Sequence, residues 1–206
     1  MDTKALRQKI LDLAIRGKLV PQDPNDEPAE VLLERIREQK QQMLKEGKLK
    51  KKDIKNDTIM FKGEDNLHYE KFQDGTVKCI EDEIPFEVPE GWAWCRLPVI
   101  TTDIFAGGDK PDISEKRATE ICNIPIYSNG IENDGLYGYT NKPRVTEPSI
   151  TISARGTIGF CCARKTPFVP IVRLITITPS KEISLYYLKT VFEALIETGE
   201  GSSIPQ

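Results

Sequence analysis

The 206-residue chain has one histidine and no apolar run near the roughly 20 residues that a membrane-spanning helix needs. Its five cysteines show no spaced pairs, which together with the lone histidine excludes the usual zinc-ligand sets and any Cys/His/Asn reading. No metal site and no catalytic residue is therefore expected. There is no Walker-type phosphate loop, and Ala106-Gly107-Gly108 is too short for a dinucleotide fingerprint. Asp112, Glu115 and Lys116 have the residue types of a metal-nuclease site, but they share one short polar loop, whereas such sites gather from separate strands. The N-terminus reads as a charged amphipathic segment and not as a secretory signal. Cys161 and Cys162, adjacent within an apolar run, read as reduced, buried thiols of a cytoplasmic protein.

What is present is a globular composition, 38% hydrophobic and 30% charged, with net charge -3. An acidic total argues against a non-specific nucleic-acid coat, but distribution decides. From Lys142 to Arg173 the basic residues Lys142, Arg144, Arg155, Arg164, Lys165 and Arg173 face only Glu147. Such a tract suits a polyanion partner, or it pairs with the acids just upstream; both readings stand.

Taken in order, the chain predicts an α+β protein. Residues 1–56 form an antiparallel, coiled-coil-like helical hairpin. Its first helix covers Thr3 to Val20, with Leu6, Ile10, Leu13, Gly17 and Val20 at four-three spacing and Pro21 as the stop. The second helix starts from an Asp26 cap and runs to about Glu46, with Leu32, Ile36, Gln39 and Met43 on its seam. This hairpin is too small to bury both faces alone, so Leu6, Ile10, Leu13, Leu32, Ile36 and Met43 are candidates for docking a partner subunit. Lys48 to Lys55 reads as a solvated extension or linker, with backbone contact to nucleic acid the other reading.

Residues 57–83 form a β-hairpin linker, His68 to Phe72 and Thr76 to Ile80 around the Asp74-Gly75 turn, with the lone His68 a surface or hairpin residue and not a catalytic base. Residues 84–206 form a mixed, strand-rich domain entered through Trp92 and Trp94, which pin the entrance against a core. Ile124 to Tyr127 is a strand running into the polar turn Ser128-Asn129-Gly130. A C-terminal helix spans Ser184 to Thr198 with Ser184 as its cap. Gly199 to Gln206 reads as a turn that stops abruptly, so the chain is expected to be a fragment, incomplete at its C-terminal end.

The organising stretch is Ile150 to Lys165, ITISARGTIGFCCARK. Ile150, Ile152 and Ala154 alternate with Thr151 and Ser153, a strand with one apolar and one hydroxylated face. Arg155-Gly156-Thr157 interrupts it, and a second apolar run follows. The product is a hairpin whose tip carries a guanidinium, a hydroxyl and a glycine, groups that suit phosphate oxygens and base edges. An ordinary core hairpin with a solvated arginine fits the same residues.

Four blocks together resemble the specificity (S) subunit of type I restriction-modification enzymes. They are LRQKILDLAIRGKLVPQDPNDEPAEVLLERIREQK from Leu6 to Lys40, IPFEVPEGWAWCRL from Ile84 to Leu97, the pair IPIYSNGI and ISARGTIGF, and the terminal helix ending in GSSIPQ. Pro98-Val99 stands where the family often has Gly-Asp. The resemblance implies a non-catalytic reader of double-stranded DNA in which each recognition domain reads one half of a split target. Helices set the spacing and dock methyltransferase subunits and, through them, the restriction/translocase subunit. S-adenosylmethionine, ATP and Mg2+ would be used by those partners, with no cofactor in this chain. With one recognition domain, the chain would read one half-site or pair with a second copy. Candidate DNA contacts are Arg155, Gly156, Thr157, Lys142, Arg144, Arg164 and Lys165, with Lys110 on the glycine loop and Tyr127, Ser128 and Asn129 as base readers. Two competing classes are the recognition end of a fused restriction-methyltransferase and a protein-interaction module without DNA binding.

Overall fold

Gly17 ends the first helix, α1 (Thr3–Ile15), earlier than the Val20 and Pro21 stop that periodicity predicts. The structure, a computed structural model, describes residues 3–196. Gly17 takes φ +64°, and the N–H groups of Gly17 and Lys18 donate to the carbonyls of Ala14 and Leu13 at 3.1 and 2.8 Å. That is the paired hydrogen bonding of a left-handed C-terminal cap. A Cβ at Gly17 would fall 2.5 Å from Pro89 Cγ, so conformation and contact both demand glycine. Trp92 secures the same corner, its Nε1–H donating to Gln22 Oε1 at 2.8 Å.

The second helix, α2 (Ala29–Lys45), starts after Pro28 and has no side-chain cap, so Asp26 does not take the role expected of it. The Ala29 N–H donates instead to the Gly91 carbonyl at 2.8 Å. Gly47, at φ +72°, ends the helix as expected. The buried residues of α2 are Leu33, Ile36 and Lys40, so the observed seam keeps Ile36 of the expected set and replaces Leu32, Gln39 and Met43 by Leu33 and Lys40. The physical reason is the packing partner: α2 lies on a 3-10 turn, Leu97–Ile100, and does not pair with α1 as the expected helical hairpin. Lys40 sits on that seam, its Nζ 2.6 Å from Asp57 Oδ2 and donating to the Pro98 carbonyl at 2.7 Å. In the lysine run after Gly47, Leu49 and Ile54 are buried while the lysines are exposed.

A three-stranded antiparallel sheet follows, β1 (Ile59–Lys62), β2 (His68–Lys71) and β3 (Val77–Cys79). β2 and β3 match the expected pieces around Asp74-Gly75; β1 is an addition. The sheet is inverted in polarity. Glu70 is 4% exposed, accepts from Arg96 at 3.0 and 2.5 Å and from Thr58 Oγ1 at 2.6 Å, and the same guanidinium reaches Glu83 at 2.6 Å. His68 stands on the hairpin strand β2, as one of its two expected placements had it, and is buried, with its backbone N–H and Nδ1 at 2.8 and 2.7 Å from Glu81 Oε2. Ile59, Phe61 and Val77 are exposed, and Phe61 stacks on Tyr69 at 5.8 Å.

The chain divides into two compact units between Thr102 and Asp103. The segment from Ile84 to Leu97, placed by sequence at the head of the second domain, folds with the first unit, because Arg96 clamps its sheet and Gly91 holds α2. Trp94 packs edge-on against Phe86 at 5.1 Å.

The rest of the strands are β4 (Thr101–Ala106), β5 (Ile124–Tyr127), β6 (Leu136–Thr140), β7 (Ser149–Ile152), β8 (Cys161–Arg164), β9 (Val169–Pro170) and β10 (Ile175–Pro179). One sheet has the order β4-β10-β7-β8, the other β6-β5-β9. β7 pairs antiparallel with both β8 and β10; β5 pairs antiparallel with β6 and parallel with β9. Ile126, Val169 and Ile171 form a buried cluster. The last helix, α3 (Leu185–Leu195), packs on β8 and β7, with Leu188 buried and the Ser184 hydroxyl accepting from the Tyr187 N–H at 3.3 Å. The expected turn from Gly199 to Gln206 lies outside the described residues.

The Arg96 cluster sets an acid response. Lys78 and Arg96 hold the Glu83 carboxyl at about 2, and Arg96, with a smaller contribution from Thr58 and against the upward push of burial, holds Glu70 below the usual 4.5. Depressed carboxylates stabilise the fold above the unfolded value of 4.5, and that contribution is lost as pH falls through the folded values. Resistance of the full chain to urea is therefore expected to fall as pH drops from 4.5 to about 2. Arg96→Ala is expected to cost about 2–3 kcal/mol at neutral pH, by leaving buried Glu70 without its cation, and to flatten that acid response.

Candidate nucleic-acid interface

β7 and β8 form the expected hairpin, paired from Ser149↔Arg164 to Ile152↔Cys161. Its tip is closed by Ser153 N–H to the Phe160 carbonyl and Gly159 N–H to the Ser153 carbonyl, both 2.9 Å. Gly156 has φ +69° with open space where a Cβ would stand, so it serves the turn and not a close approach. Arg155 and Gly156 are exposed and Thr157 is half-buried.

Two other loops meet this tip. The Asn129 side chain accepts from the backbone N–H groups of Ala154 at 2.8 Å and Arg155 at 3.3 Å, and donates to the Val172 carbonyl at 2.7 Å. The Gly130 N–H donates to Ser153 Oγ at 3.3 Å. Val172 and Arg173 are consecutive left-handed residues, at φ +54° and +59°, and both are exposed. A β-branched residue in that region is strained by about 1–3 kcal/mol and needs its surroundings to hold it. The surroundings include the glycine loop: the Val172 and Arg173 N–H groups donate to the carbonyls of Gly108 and Gly107 at 2.8 and 2.9 Å. A Cβ at Gly107 would lie 2.7 Å from the Pro170 carbonyl carbon, so this backbone contact requires glycine. The loop Gly107 to Lys110, expected as a reader, is at Gly107 and Gly108 the support of another turn.

The expected DNA contacts separate into groups. Arg155 and Gly156 lie on the exposed tip, and Arg144 lies over the Phe105 ring at 4.4 Å, beside Gly108. Arg164 is no free cation. It is 7% exposed, donates to Thr151 Oγ1 at 3.0 Å and to the Asp134 carbonyl at 2.5 Å, and stacks 3.6 Å over Tyr127. Tyr127 is thereby covered, with Phe168 edge-on at 5.8 Å. The Ser128 N–H donates to the Gly135 carbonyl at 2.8 Å, and Asn129 has its acceptor committed. Lys165 sits over Tyr186 at 4.8 Å, lining a groove of about 610 Å³ between β8 and α3. Lys110 and Lys116 flank Tyr137 at 5.9 and 4.3 Å, and Lys142 is exposed. Glu115 of the short acidic loop exchanges backbone hydrogen bonds with Tyr139, both 2.8 Å.

Burial pushes the Cys161 thiol up to about 12, so it stays protonated and inert. His68, Glu81 and Glu87 bring ligand-type atoms within 4.8 Å of one another, but His68 is bonded to Glu81, and Glu87 pairs with Lys62 at 3.3 Å. Of the expected docking residues, Leu6 and Ile10 are exposed, Leu13, Leu32 and Met43 are half-buried, and Ile36 is fully buried in its own unit and unavailable to a partner. Sequence reading missed the Val172–Arg173 turn. Neither residue type signals a left-handed backbone, and the only trace was Arg173 in the basic tract.

Residues 99–206 match the family described as "Type I restriction modification DNA specificity domain". The EcoEI specificity subunit of a type I restriction enzyme from Escherichia coli is 46% identical over 99 residues, 48% of this chain and 13% of that protein. The EcoAI specificity subunit, also from Escherichia coli, is 48% identical over 93 residues, 45% of this chain and 12% of that protein. The chain thus matches about an eighth of the length of these relatives. The HsdS subunit from Thermoanaerobacter tengcongensis aligns over 81% of this chain and 38% of that one, with TM-score 0.42 and 17% identity.

The two hairpin arginines are expected to respond differently to substitution. Arg164→Ala strips donors from Thr151 and Asp134 and opens space over Tyr127, so thermal denaturation should show a loss of about 2–3 kcal/mol. Arg155→Ala, at an exposed tip, should change stability by no more than about 0.5 kcal/mol.

Proposed function

Because the chain belongs to the family of type I restriction-modification DNA specificity domains, we propose that its second unit reads double-stranded DNA through the face where three loops meet. The observation that carries this reading is the gathering of two exposed arginines, Arg155 and Arg173, on loops joined through Asn129. Guanidinium groups suit phosphates and the O6/N7 edge of guanine. Arg144, beside the supporting glycine loop, adds a further cation for the DNA backbone. Thr157 and Lys142 stand as secondary contacts. Arg164 acts by holding β5, β7 and β8 together.

In this reading the chain carries no reaction centre. It reads one half of a bipartite target, alone or paired with a second copy, and directs methylation or cleavage by its partners in the cytoplasm. The methyltransferase subunit docks on the first unit, where Leu6 and Ile10 leave an apolar strip of α1 exposed. The restriction/translocase subunit joins through it, and S-adenosylmethionine, ATP and Mg2+ serve those subunits.

Selection from a randomised duplex library, with the chain alone and with a methyltransferase subunit, tests the proposal. One short enriched half-site, or a symmetric pair at fixed spacing, is the expected result. Arg155→Ala and Arg173→Ala should each either relax one base position, at about 1–3 kcal/mol, or weaken binding uniformly and lower the salt slope by about 1. Absent enrichment, or binding without salt dependence, would turn the reading toward a protein-interaction module.

A further inference from the structure

We propose that Asn129 is the positioning residue of the reading face: its side chain sets the hairpin tip and the Val172–Arg173 turn in one arrangement and does not itself read a base. The inference rests on the reading of this face as the DNA contact. An asparagine amide has two donors and one oxygen with two lone pairs. Here Oδ1 takes the N–H groups of Ala154 and Arg155, and Nδ2 donates to the Val172 carbonyl. The reversed amide would set Nδ2 against two N–H groups and Oδ1 against a carbonyl, so the network fixes the orientation. Bidentate recognition of adenine needs oxygen and amide nitrogen together, and the oxygen is spent.

The partners are distant in sequence, 25 residues away at Ala154 and 43 at Val172, so this one amide decides where two loops stand relative to each other. Each of those loops presents an arginine. The Val172–Arg173 turn is the more dependent of the two. Its left-handed backbone is unfavourable for both residue types, and besides the Gly107 and Gly108 carbonyls the Asn129 amide is what ties it to the tip. Reading geometry is sensitive to such supports, because a contact group must be held in place before it meets its target.

Two measurements on the full chain test this. Limited trypsin digestion without DNA reports the loops directly, since cleavage falls after Arg155 and Arg173. Asn129→Ala is expected to speed cutting at both sites by about tenfold. Asn129→Asp, which keeps the acceptor and loses the donor, should speed cutting at Arg173 more than at Arg155. Unchanged cutting at both sites in both variants would overturn the proposal, and the Asn129→Asp pattern decides it if Asn129→Ala loses its cooperative thermal transition. In duplex selection, Asn129→Ala is expected to relax the base positions that Arg155→Ala and Arg173→Ala relax, and the combination with Arg173→Ala to lose less than the sum. Where an arginine variant relaxes a base position, uniform weakening by Asn129→Ala with preference intact would reduce Asn129 to a stabilising residue and overturn the proposal. Where the arginine variants weaken binding uniformly, Asn129→Ala is expected to do the same and to lower the salt slope with them. Altered selection in the arginine variants but none in Asn129→Ala would sink the proposal and leave the reading standing. No effect of either arginine variant would remove the reading, and the proposal with it.

Discussion

The hydroxyls of β7 must find their partners inside the protein, because all four residues of that strand are buried. This constraint organises the second unit. Ser149 is met by Thr178 at 2.9 Å, and Thr151 by Arg164 at 3.0 Å. Meeting Thr151 draws a guanidinium into the interior, where it needs further acceptors and an aromatic face. The Asp134 carbonyl and Tyr127 supply them, and both stand at the ends of the β5–β6 connection. A charge that a basic tract would offer to solvent is thereby turned into a bracket between two sheets. What remains outside are the loops beyond those brackets.

How far the sequence carries depends on whether the deciding interaction is local. Hairpin β7–β8, the Asp74-Gly75 turn, the Ser184 cap and the Gly47 stop follow from neighbours in the chain, and their residue types announce them. The seam of α2 and the start of that helix do not, because the turn Leu97–Ile100 and Gly91 decide them from more than fifty residues away. The site divides in the same way. Arg155 at an interrupted strand is readable as an exposed tip. Arg164, nine positions on, has the same residue type and the opposite fate, which only its contacts with Thr151, Asp134 and Tyr127 reveal. Asn129 reads as a free amide until its distant partners are known.

Glycine shows the same split between local and distant causes. At Gly156 the backbone angle alone accounts for the residue, and nothing stands near it. At Gly107 the angle is ordinary and the cause is the neighbouring strand, since a Cβ would strike Pro170. At Gly135 both operate: φ is +78° and a Cβ would fall 2.4 Å from the Ser128 carbonyl oxygen. Glycine therefore marks two unlike things here, a tip free to present itself and a seam where two backbones touch.

The inverted sheet of the first unit changes what fixes its alignment. In most sheets a slip of one residue is forbidden because it would carry greasy side chains into water. In β1–β2–β3 that rule has little hold, since Ile59, Phe61 and Val77 already face water. The discriminating partner is ionic. Only the observed alignment delivers Glu70 to Arg96, and a slip would bring Tyr69 or Lys71 inward and leave the guanidinium facing an aromatic ring or another cation. Alignment is thus specified by a lock of charge, which discriminates sharply between neighbours and, unlike oil, loosens when its carboxylates take up protons.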